Sequence, residues 1–431
     1  MKILFVSNDL IAGDVARKLS LEGNEVKLFI QEKGRRDNFE NLVVKTNNWK
    51  DELKWVSKNG LIIFDDVGYG KHIDKLKKAG YHVFGGGYLG DRLELDREYA
   101  QDIFRTSGMK TVELKNFSSI DKAINFVKKN RGQWVIKQNN HAPKGLNYVG
   151  HHKDGLDVVD VLESYKKHSK EFIKVVSLQK RIIGVEVAVA RYFNGHKWLG
   201  PIEINIEHKK FLPGDIGITT SEMGTLAWYS SDENLTLFKE TLGRLEDHLR
   251  KIDYRGVIDI NCIANEDGIF PLEATARFGS PIVHLQTSFF NHSITDFIES
   301  VACGKDFASD IKTGYGIVAL MAVPPFPYAK KIKGLSFKGQ TVYFDNMLDT
   351  DWQNIHFEEI SYDKKNKKYY ISDERGYVMY ITGFGKSIKD AQNDLYTRIA
   401  KIHIPKSMYR NDLGDRFDKH SMQNLKDWKY I

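Results

Sequence analysis

The amino-acid sequence predicts an α/β protein of about three domains that begins with a doubly wound parallel sheet. Three observations support this prediction. The chain has 431 residues, and at roughly 150 residues per domain this is too long for a single core. Strand and helix patterns alternate over roughly the first ninety residues, and after Gly314 the chain becomes rich in strand patterns.

The predicted elements of the N-terminal domain, residues 1–92, are short and regular. Apolar runs predict strands at 2–6, 25–30, 61–64 and 82–84, and helical spacing predicts a helix at 12–21. Ligands of such sheets bind at the carboxyl ends of the strands, which here are 7–14 and 65–70. The first of these loops lacks the Gly-x-Gly-x-x-Gly pattern of dinucleotide-binding proteins.

The middle domain is predicted to span 93–313, after a glycine triplet at 85–87. Its predicted helices are at 93–106, around 158–165 and at 236–251, and its predicted strands are at 134–137, 175–183, 186–193, 257–264 and 269–274. The strands on either side of Gly184 are expected to form a hairpin or to lie side by side in one antiparallel sheet. The last two strands form a hairpin around the turn 265–268.

The C-terminal domain, residues 314–431, is predicted to be small and β-rich. A proline-rich segment at 324–327 is interpreted as its entrance, and a final helix at about 388–402 is expected to close the domain.

Composition excludes several classes of protein. The net charge of +7 is a mild excess without a long run of one sign, which favours anionic small molecules such as nucleotides over nucleic acid. The chain has two cysteines, Cys262 and Cys303, too few for a disulfide framework, so a reducing, cytoplasmic compartment is expected. Apolar segments stay well below the roughly 18 residues of a spanning helix, so no membrane association is expected. The motifs of zinc hydrolases and serine hydrolases are missing.

Two strands of the middle domain carry oxygen ligands in alternating positions. Asp259 and Asn261 point to one face of their strand, and Glu273 and Thr275 to one face of the next. If those faces coincide, they offer the hard ligands that Mg²⁺ prefers, with Arg277 beside them to stabilise a phosphoryl group. An alternative of equal weight is that Asp259 and Glu273 form ion pairs with nearby arginines, Arg255 and Arg277.

Two lysines and one loop are weaker candidates for ligand binding. Lys137, at the end of a strand, and Lys144, in a polar loop, are of the type that contacts nucleotide phosphates. A lysine at a strand end is common, so this pattern alone is not specific. The glycine-rich loop that holds Asp215, Thr219 and Thr220 is either a plain surface turn or, given its length, a binding loop.

Three segments, in order along the chain, resemble motifs of the ATP-grasp superfamily and, within it, of the phosphoribosylamine–glycine ligase family. Residues 207–210, Glu-His-Lys-Lys, with the loop 214–224, resemble its Asp-His-Lys-Arg and the glycine-rich loop after it. Residues 272–281, Leu-Glu-Ala-Thr-Ala-Arg-Phe-Gly-Ser-Pro, resemble its Leu-Glu-x-Asn-x-Arg-Phe-Gly-Asp-Pro. Residues 409–416, Tyr-Arg-Asn-Asp-Leu-Gly-Asp-Arg, resemble its Tyr-Arg-x-Asp-Ile-Gly-x-Arg. The resemblance covers the middle and C-terminal domains.

This resemblance implies an ATP-grasp domain and an ATP-dependent ligase. In such a reaction, ATP phosphorylates a carboxylate, and an amine then attacks the acyl phosphate to give an amide, ADP and phosphate. The implied partners are small molecules: ATP, an amino acid such as glycine, an amine such as phosphoribosylamine, and Mg²⁺ or Mn²⁺. A monomer or a homodimer is expected.

The resemblance also implies roles for individual residues. Lys137 and Lys144 would contact ATP phosphates, with Lys144 and Arg277 as catalytic groups. The segment 177–186 would hold adenine and ribose through Gln179, Lys180, Arg181, Ile182 and Glu186, and Arg97 stands where the family has a lysine. Glu273 would be a metal ligand, with Asn261, Asp259 and Thr275 as further candidates. Thr275 stands where the family has asparagine.

The implied substrate contacts are Asn8, Asp65, Asp66, Asp215, Thr219, Thr220 and Arg410. The family's Gly-Gly-Arg-Glu-His-Ala loop is Ser-Asn-Asp-Leu-Ile-Ala at 7–12 here, and its Gly-Pro-Glu-x-Pro-Leu loop is Asp-Asp-Val-Gly-Tyr-Gly at 65–70. These changes add carboxylates, which repel an anionic substrate. Two alternatives therefore stand beside the purine-biosynthesis ligase: a ligase that uses a different amine, and a nucleotide-binding regulator with weakened catalysis.

Overall fold

The computed structural model describes residues 1–137, 146–168, 175–328, 334–417 and 421–431. Within these ranges, no helix is both long and apolar enough to span a bilayer.

The N-terminal segment is a five-stranded parallel sheet in the order β3-β2-β1-β4-β5. Its elements are β1 (Lys2–Ser7), α1 (Gly13–Leu21), β2 (Glu25–Ile30), β3 (Val44–Thr46), α2 (Leu53–Val56), β4 (Leu61–Phe64), α3 (Gly70–Lys78) and β5 (His82–Phe84). Ile3 and Phe5 enter one apolar cluster while Leu4 and Val6 enter another. The sheet is therefore buried on both faces, and the predicted doubly wound domain is confirmed.

Two helices follow, α4 (Gly87–Leu95) and α5 (Arg97–Thr106). The single helix predicted at 93–106 is wrong, because the helix breaks at Asp96. The backbone of Asp96 is extended, with φ −119° and ψ 91°, and its side chain caps α5 by accepting a hydrogen bond from the Tyr99 N–H. The first helix also begins earlier than the sequence indicates, at Gly87.

A small antiparallel sheet with the order β6-β9-β7-β8 comes next. Its elements are β6 (Leu114–Phe117), α6 (Ile120–Lys129), β7 (Trp134–Lys137), β8 (Tyr148–Val149), α7 (Leu156–His168) and β9 (Val176–Lys180). The two helices cover one face of the sheet and share an apolar core with it that is separate from the main core, with Ile124, Trp134, Leu162 and Leu178 among its members.

The largest sheet has eight strands in the order β16-β15-β10-β11-β14-β17-β22-β19. The elements from residue 185 to residue 303 are β10 (Val185–Asn194), β11 (Trp198–Glu207), β12 (Lys210–Leu212), β13 (Ile216–Thr219), β14 (Gly224–Ser230), α8 (Thr236–Lys239), α9 (Glu246–Lys251), β15 (Arg255–Asn265), β16 (Gly268–Thr275), α10 (Ile282–Phe289) and α11 (Ile294–Cys303). The strands β12 and β13 form a separate hairpin.

The remaining elements are β17 (Tyr315–Ala322), β18 (Thr341–Phe344), α12 (Asp349–Trp352), β19 (Ile355–Phe357), β20 (Ile360–Asp363), β21 (Lys368–Ile371), β22 (Tyr377–Gly385), α13 (Ile388–Ile399), β23 (Ile402–His403) and α14 (Met422–Asp427). Strands β17, β19 and β22 join the eight-stranded sheet, while β20, β21, β18 and β23 form a four-stranded sheet in that order. The C-terminal segment is β-rich, as predicted. Its predicted start at 314 lies immediately before β17, which pairs with β14.

Three local predictions are wrong. The strands on either side of Gly184 do not pair, because β9 lies in the small sheet and β10 in the large one. The helix predicted at 236–251 is divided into α8, a 3-10 turn at 242–245 and α9, and the hydroxyl of Thr241 bonds back to the Leu237 carbonyl at the break. The predicted final helix ends at Ile399, and β23 and α14 follow it.

Candidate active site

One face of the large sheet collects the predicted oxygen ligands. In the antiparallel pair of β15 and β16, Asn261 lies opposite Glu273, and Asp259 lies opposite Thr275. Residues directly opposite on neighbouring strands point to the same face. The expectation that these four side chains share a face is confirmed by this register.

Strand β11 adds residues to this face that the sequence prediction did not include as ligands. Glu203, Asn205 and Glu207 alternate along the strand, and β10 joins β11 to β15 in register. The Asn205 amide donates to Asp259 Oδ2 at 2.8 Å, and the Asn261 amide donates to Glu207 Oε1 at 3.2 Å. Their spacing of two residues within a strand is the sequence signal that could have identified them.

Lys209, at the end of β11, lies among three carboxylates of this face. Its ammonium is 2.7 Å from Glu207, 3.0 Å from Glu186 and 4.0 Å from Glu273. Burial opposes the charge of Lys209, but these carboxylates outweigh burial and hold the pKa of its ammonium well above the usual value. The electrostatics of the face therefore favour a positive charge at this position.

The donor set of the face fits a hard divalent cation. Glu273 is about half exposed, with 48 % of its side chain accessible, whereas Asp259 is buried and its Oδ1 accepts no hydrogen bond from the described residues. Burial and the nearby Glu207 raise the pKa of Asp259 well above its ordinary value. Carboxylate and amide oxygens in this arrangement are the ligands that Mg²⁺ and Mn²⁺ take.

The alternative ion pairs are made with other partners. Arg255 pairs with Asp253 at 2.8 Å. Arg277, on the turn after β16, lies 3.1 Å from Glu94 and 3.7 Å from Asp66. In these contacts the two arginines pair with carboxylates other than Asp259 and Glu273.

The small sheet brings Lys137 within electrostatic range of the same face. Burial lowers the pKa of the Lys137 ammonium, an effect opposed by Glu273 and strengthened by Arg97. A half-buried lysine whose charge is disfavoured by desolvation is suited to bind a phosphate, because the anion restores the charge balance. Lys144 lies outside the described residues.

The residues predicted to hold adenine and ribose lie where the chain crosses from the small sheet to the large one. Gln179 is buried in β9, next to Val135 of β7. Lys180 is exposed, and Arg181 donates to the Gly150 carbonyl at 2.9 Å. Ile182 precedes Gly184, and Glu186, on β10, pairs with Lys209. Of these residues, Glu186 therefore lies beside the carboxylate face, and the adenine and ribose roles of the segment stay predictions.

Arg277 connects the large sheet to the N-terminal domain. Its Nε donates to Glu94 at 3.2 Å, and its Nη1 donates to the Phe278 carbonyl at 2.7 Å. The second oxygen of Glu94 accepts from the Ala276 N–H at 2.9 Å. Burial opposes the charge of Arg277, but Glu94 and Asp66 raise the pKa of its guanidinium. Glu94, absent from the sequence-based candidates, thus orients this arginine.

The predicted substrate residues of the N-terminal domain lie at the carboxyl edge of its sheet. Asp65 Oδ2 accepts from the Ser7 hydroxyl at 2.7 Å and from the Ala12 N–H at 3.2 Å. Asp66 accepts from the Asn8 amide at 3.3 Å. Burial, with Asp66 nearby, raises the pKa of Asp65 to about 7.

A network of charges continues from this edge to the C-terminal segment. Arg35 is buried and contacts Glu358 at 2.8 Å, Asp373 at 3.2 Å and Glu359 at 3.5 Å. Asp9 joins the network through Arg375 at 2.8 Å. None of these residues stood out in the sequence, because the contacts join positions more than three hundred residues apart.

The remaining substrate candidates lie around the hairpin of β12 and β13. Asp215 accepts from Arg410 at 2.7 Å and from Arg416 at 2.8 Å, so two of the candidates bind each other. Thr219 is exposed on β13. Thr220 donates to the Lys209 carbonyl at 2.9 Å, which ties the loop to the carboxylate face.

Comparisons with known proteins agree with this geometry. Residues 95–283 match the family described as phosphoribosylglycinamide synthetase, ATP-grasp (A) domain. The chain is 23% identical over 350 residues to the phosphoribosylamine–glycine ligase of Clostridium acetobutylicum, covering 79% of this chain and 80% of the relative. It is 22% identical over 435 residues to that of Fusobacterium nucleatum, covering 96% and 98%.

Solved structures share the fold. The phosphoribosylamine–glycine ligase of Thermotoga maritima superposes with a TM-score of 0.69 at 17% identity, covering 96% of this chain and 100% of that one. A biotin carboxylase of Campylobacter jejuni gives a TM-score of 0.66 at 10% identity, covering 99% and 98%. The chain therefore carries an ATP-grasp domain of the phosphoribosylglycinamide synthetase type and resembles phosphoribosylamine–glycine ligases along most of its length.

Proposed function

We propose that this protein is an ATP-dependent ligase that forms a C–N bond through an acyl phosphate. The observation that carries the proposal is the carboxylate face of β11, β15 and β16, which lies within electrostatic range of Lys137 and is followed by Arg277 just after β16. Such a site binds ATP phosphates at one end and a second, reacting substrate at the other. The relatives' names supply the reaction type.

The proposed roles follow from position. Lys137 binds the phosphates of ATP, and the segment 177–186 holds its adenine and ribose, with Arg97 completing the cation set. Glu273, Asn261 and Glu207 would hold Mg²⁺ or Mn²⁺, with Asp259 and Thr275 beside them. A metal bound there would neutralise charge on a transferring phosphoryl group.

The reaction has two steps, and both take place in the same site. The carboxylate of an amino acid attacks the γ-phosphorus of ATP, forming the acyl phosphate and releasing ADP. The amine then attacks the acyl carbon, and phosphate leaves with the bonding electrons of the C–O bond. Arg277 lies between the two substrates and stabilises the negative charge of the acyl phosphate, and Glu94 orients it.

The leading specific activity joins glycine to phosphoribosylamine in purine biosynthesis, as the names of the relatives indicate. A second candidate, a ligase for a different amine, is favoured by Asp65 and Asp66 at the edge of the N-terminal sheet. Cys262 and Cys303 are unpaired, which supports action in the reducing cytoplasm.

Trapping of the acyl phosphate tests the proposal. With ATP, Mg²⁺, hydroxylamine and each common amino acid in turn, we expect an amino-acid hydroxamate and stoichiometric ADP, with glycine the first acid to try. ATP binding without hydroxamate from any acid would contradict the ligase and support a regulatory role.

A further inference from the structure

The carboxyl edge of the N-terminal sheet carries substrate residues predicted from the sequence, among them Asp65 and Asp66. Two helices, α1 and α3, begin at this edge, directly after β1 and β4. The N-terminus of a helix is a ready-made site for a phosphate, because its free N–H groups and dipole favour a negative charge. A phosphorylated ligand fits at these two N-termini only if no other group of the chain already accepts their hydrogen bonds.

At the start of α1, a carboxylate of the chain takes the position of an anion. Asp65 Oδ2 accepts from the N–H of Ala12, the residue before the helix, at 3.2 Å and from the Ser7 hydroxyl at 2.7 Å. Ser7 in turn accepts from the Leu10 N–H at 2.8 Å. Asp65 is fully buried, and its Oδ1 accepts no hydrogen bond from the described residues. The edge thus holds a buried carboxyl group with unused acceptor capacity.

The start of α3 is arranged in the same way. Asp91, from α4, accepts from the Gly70 N–H at 2.7 Å and from the Gly68 N–H at 2.9 Å through one oxygen. Asp91 is 7 % exposed. Both helix N-termini that face the proposed amine site are therefore bound by internal carboxylates.

Carboxyl groups outnumber guanidinium groups in the surrounding network, and burial raises the pKa of Asp65 to about 7, of Asp91 to about 6 and of Glu359 to about 8. Arg277, Arg35 and Arg375 are its cations, and their ion pairs join them to Glu94, Asp66, Glu358, Glu359, Asp373 and Asp9. With Asp65 and Asp91 added, eight carboxylates accompany three guanidinium groups. A phosphate placed here meets like charges, whereas an ammonium group gains partners.

The carboxylates that a ligand can reach lie between Arg277 and Arg375. Asp9 is 41 % exposed, Glu94 20 % and Asp66 11 %. Glu358 and Asp373, by contrast, are closed off beside Arg35. Asp66 and Glu94 lie next to Arg277, where the acyl phosphate is proposed to form, and Asp9 pairs with Arg375.

We propose that the amine substrate is a small amine that carries a second positive charge and no phosphate, and that Asp9, Asp66 and Glu94 bind that charge. This inference rests on the proposed ligase chemistry and selects the second of its two amine candidates. The ammonium group at the far end of the substrate pairs with the carboxylates, and the near amine, unprotonated, attacks the acyl carbon.

A matched series of amines tests the inference. Each set contains a diamine, the amino alcohol of equal chain length, and the phosphate ester of that alcohol, with two and with four carbons; phosphoribosylamine is run beside them. The acid is the one that gives hydroxamate, and kcat/KM is measured by mass spectrometry of the amide. We expect one diamine to exceed its amino alcohol at least about tenfold, and each phosphate ester to fall below its alcohol.

The outcomes separate the inference from the function on which it rests. Hydroxamate formation with preference for a phosphate ester or phosphoribosylamine, or with equal use of the three amines, overturns the inference alone. Hydroxamate formation with acceptance of no diamine also overturns it. Failure to form any hydroxamate overturns the ligase itself and the inference with it.

Two variants test the residues named. Asp66→Asn and Asp9→Asn should each lower the ratio of kcat/KM for the diamine to that for the amino alcohol about tenfold. Asp102→Asn removes an exposed carboxylate of α5 that pairs with Arg105 and should leave this ratio within twofold. An unchanged ratio in both test variants, with folded protein, overturns the assignment of Asp66 and Asp9.

Discussion

Carboxylates crowd two regions of this molecule, the face of β11, β15 and β16 and the carboxyl edge of the N-terminal sheet. On the face, Glu186, Glu207 and Glu273 surround the ammonium of a single lysine, Lys209. At the edge, Asp65 and Asp91 accept hydrogen bonds from backbone N–H groups. Carboxyl groups thus meet a side-chain cation in one region and the backbone in the other, and the proposals of a metal site and of a phosphate-free amine site rest on this difference.

The largest loss of activity is expected from a substitution on the carboxylate face, where the metal site is proposed. Glu273→Gln keeps the shape of the side chain but removes its charge, so amino-acid-dependent ADP release should fall at least about 1,000-fold. Glu266→Gln, in the turn between β15 and β16, is the control and should keep wild-type turnover. Wild-type activity in Glu273→Gln would remove this residue from the metal site.

Lys137→Ala tests the phosphate side of the same region. Loss of a half-buried ammonium that binds phosphates should raise the KM for ATP or lower kcat/KM for ATP by about 100-fold. Titration of ATP in the hydroxamate assay measures this change. Lys129→Ala, on the exposed end of α6, should behave as wild type; equal behaviour of both variants would contradict the assignment.

Glu94→Gln tests the boundary between the two regions. Without the carboxylate, Arg277 loses its closest ion pair, and kcat should fall about tenfold because the guanidinium is less well oriented. The KM for ATP should change less than kcat, since ATP phosphates lie nearer Lys137. A large change in the KM for ATP with unchanged kcat would show that Glu94 acts elsewhere.

The smallest effect concerns stability and Asp65. Burial raises the pKa of Asp65 from 3.8 to about 7. The contribution of Asp65 to the free energy of unfolding is therefore present in full below pH 3.8 and is lost as the pH rises to about 7. Asp65→Asn removes this dependence. Between pH 5 and pH 8 the melting temperature of the wild type should therefore fall by a few degrees more than that of the variant. Parallel melting curves would show that Asp65 titrates normally.

The two regions differ in how much of their structure could be predicted from the sequence. Strands β2, β4 and β5 appear at the predicted residues, because short apolar runs bounded by glycine or polar residues are local signals. The shared face of Asp259, Asn261, Glu273 and Thr275 also followed from strand alternation and from one hairpin. These features depend on neighbours in the chain.

The edge of the N-terminal sheet could be predicted only in part. Asp65 and Asp66 were identified as a departure from the family's loops, but Asp91 and Glu94 were not among the candidates. Their roles depend on contacts with Gly70 and Arg277, which come from other elements of the fold. Asp96 misled the prediction because a capping aspartate within an otherwise helical pattern resembles a surface residue.

Strand β17 covers the edge that β14 would otherwise expose. It continues the large sheet from β14 and is itself covered by β22. A protein truncated after residue 313 would present β14 as a bare edge, with a row of unpaired backbone N–H and C=O groups beside apolar side chains such as Leu226. Open edges of this kind pair with other chains. A truncated product should therefore aggregate, even though the residues proposed to bind ATP all precede the cut.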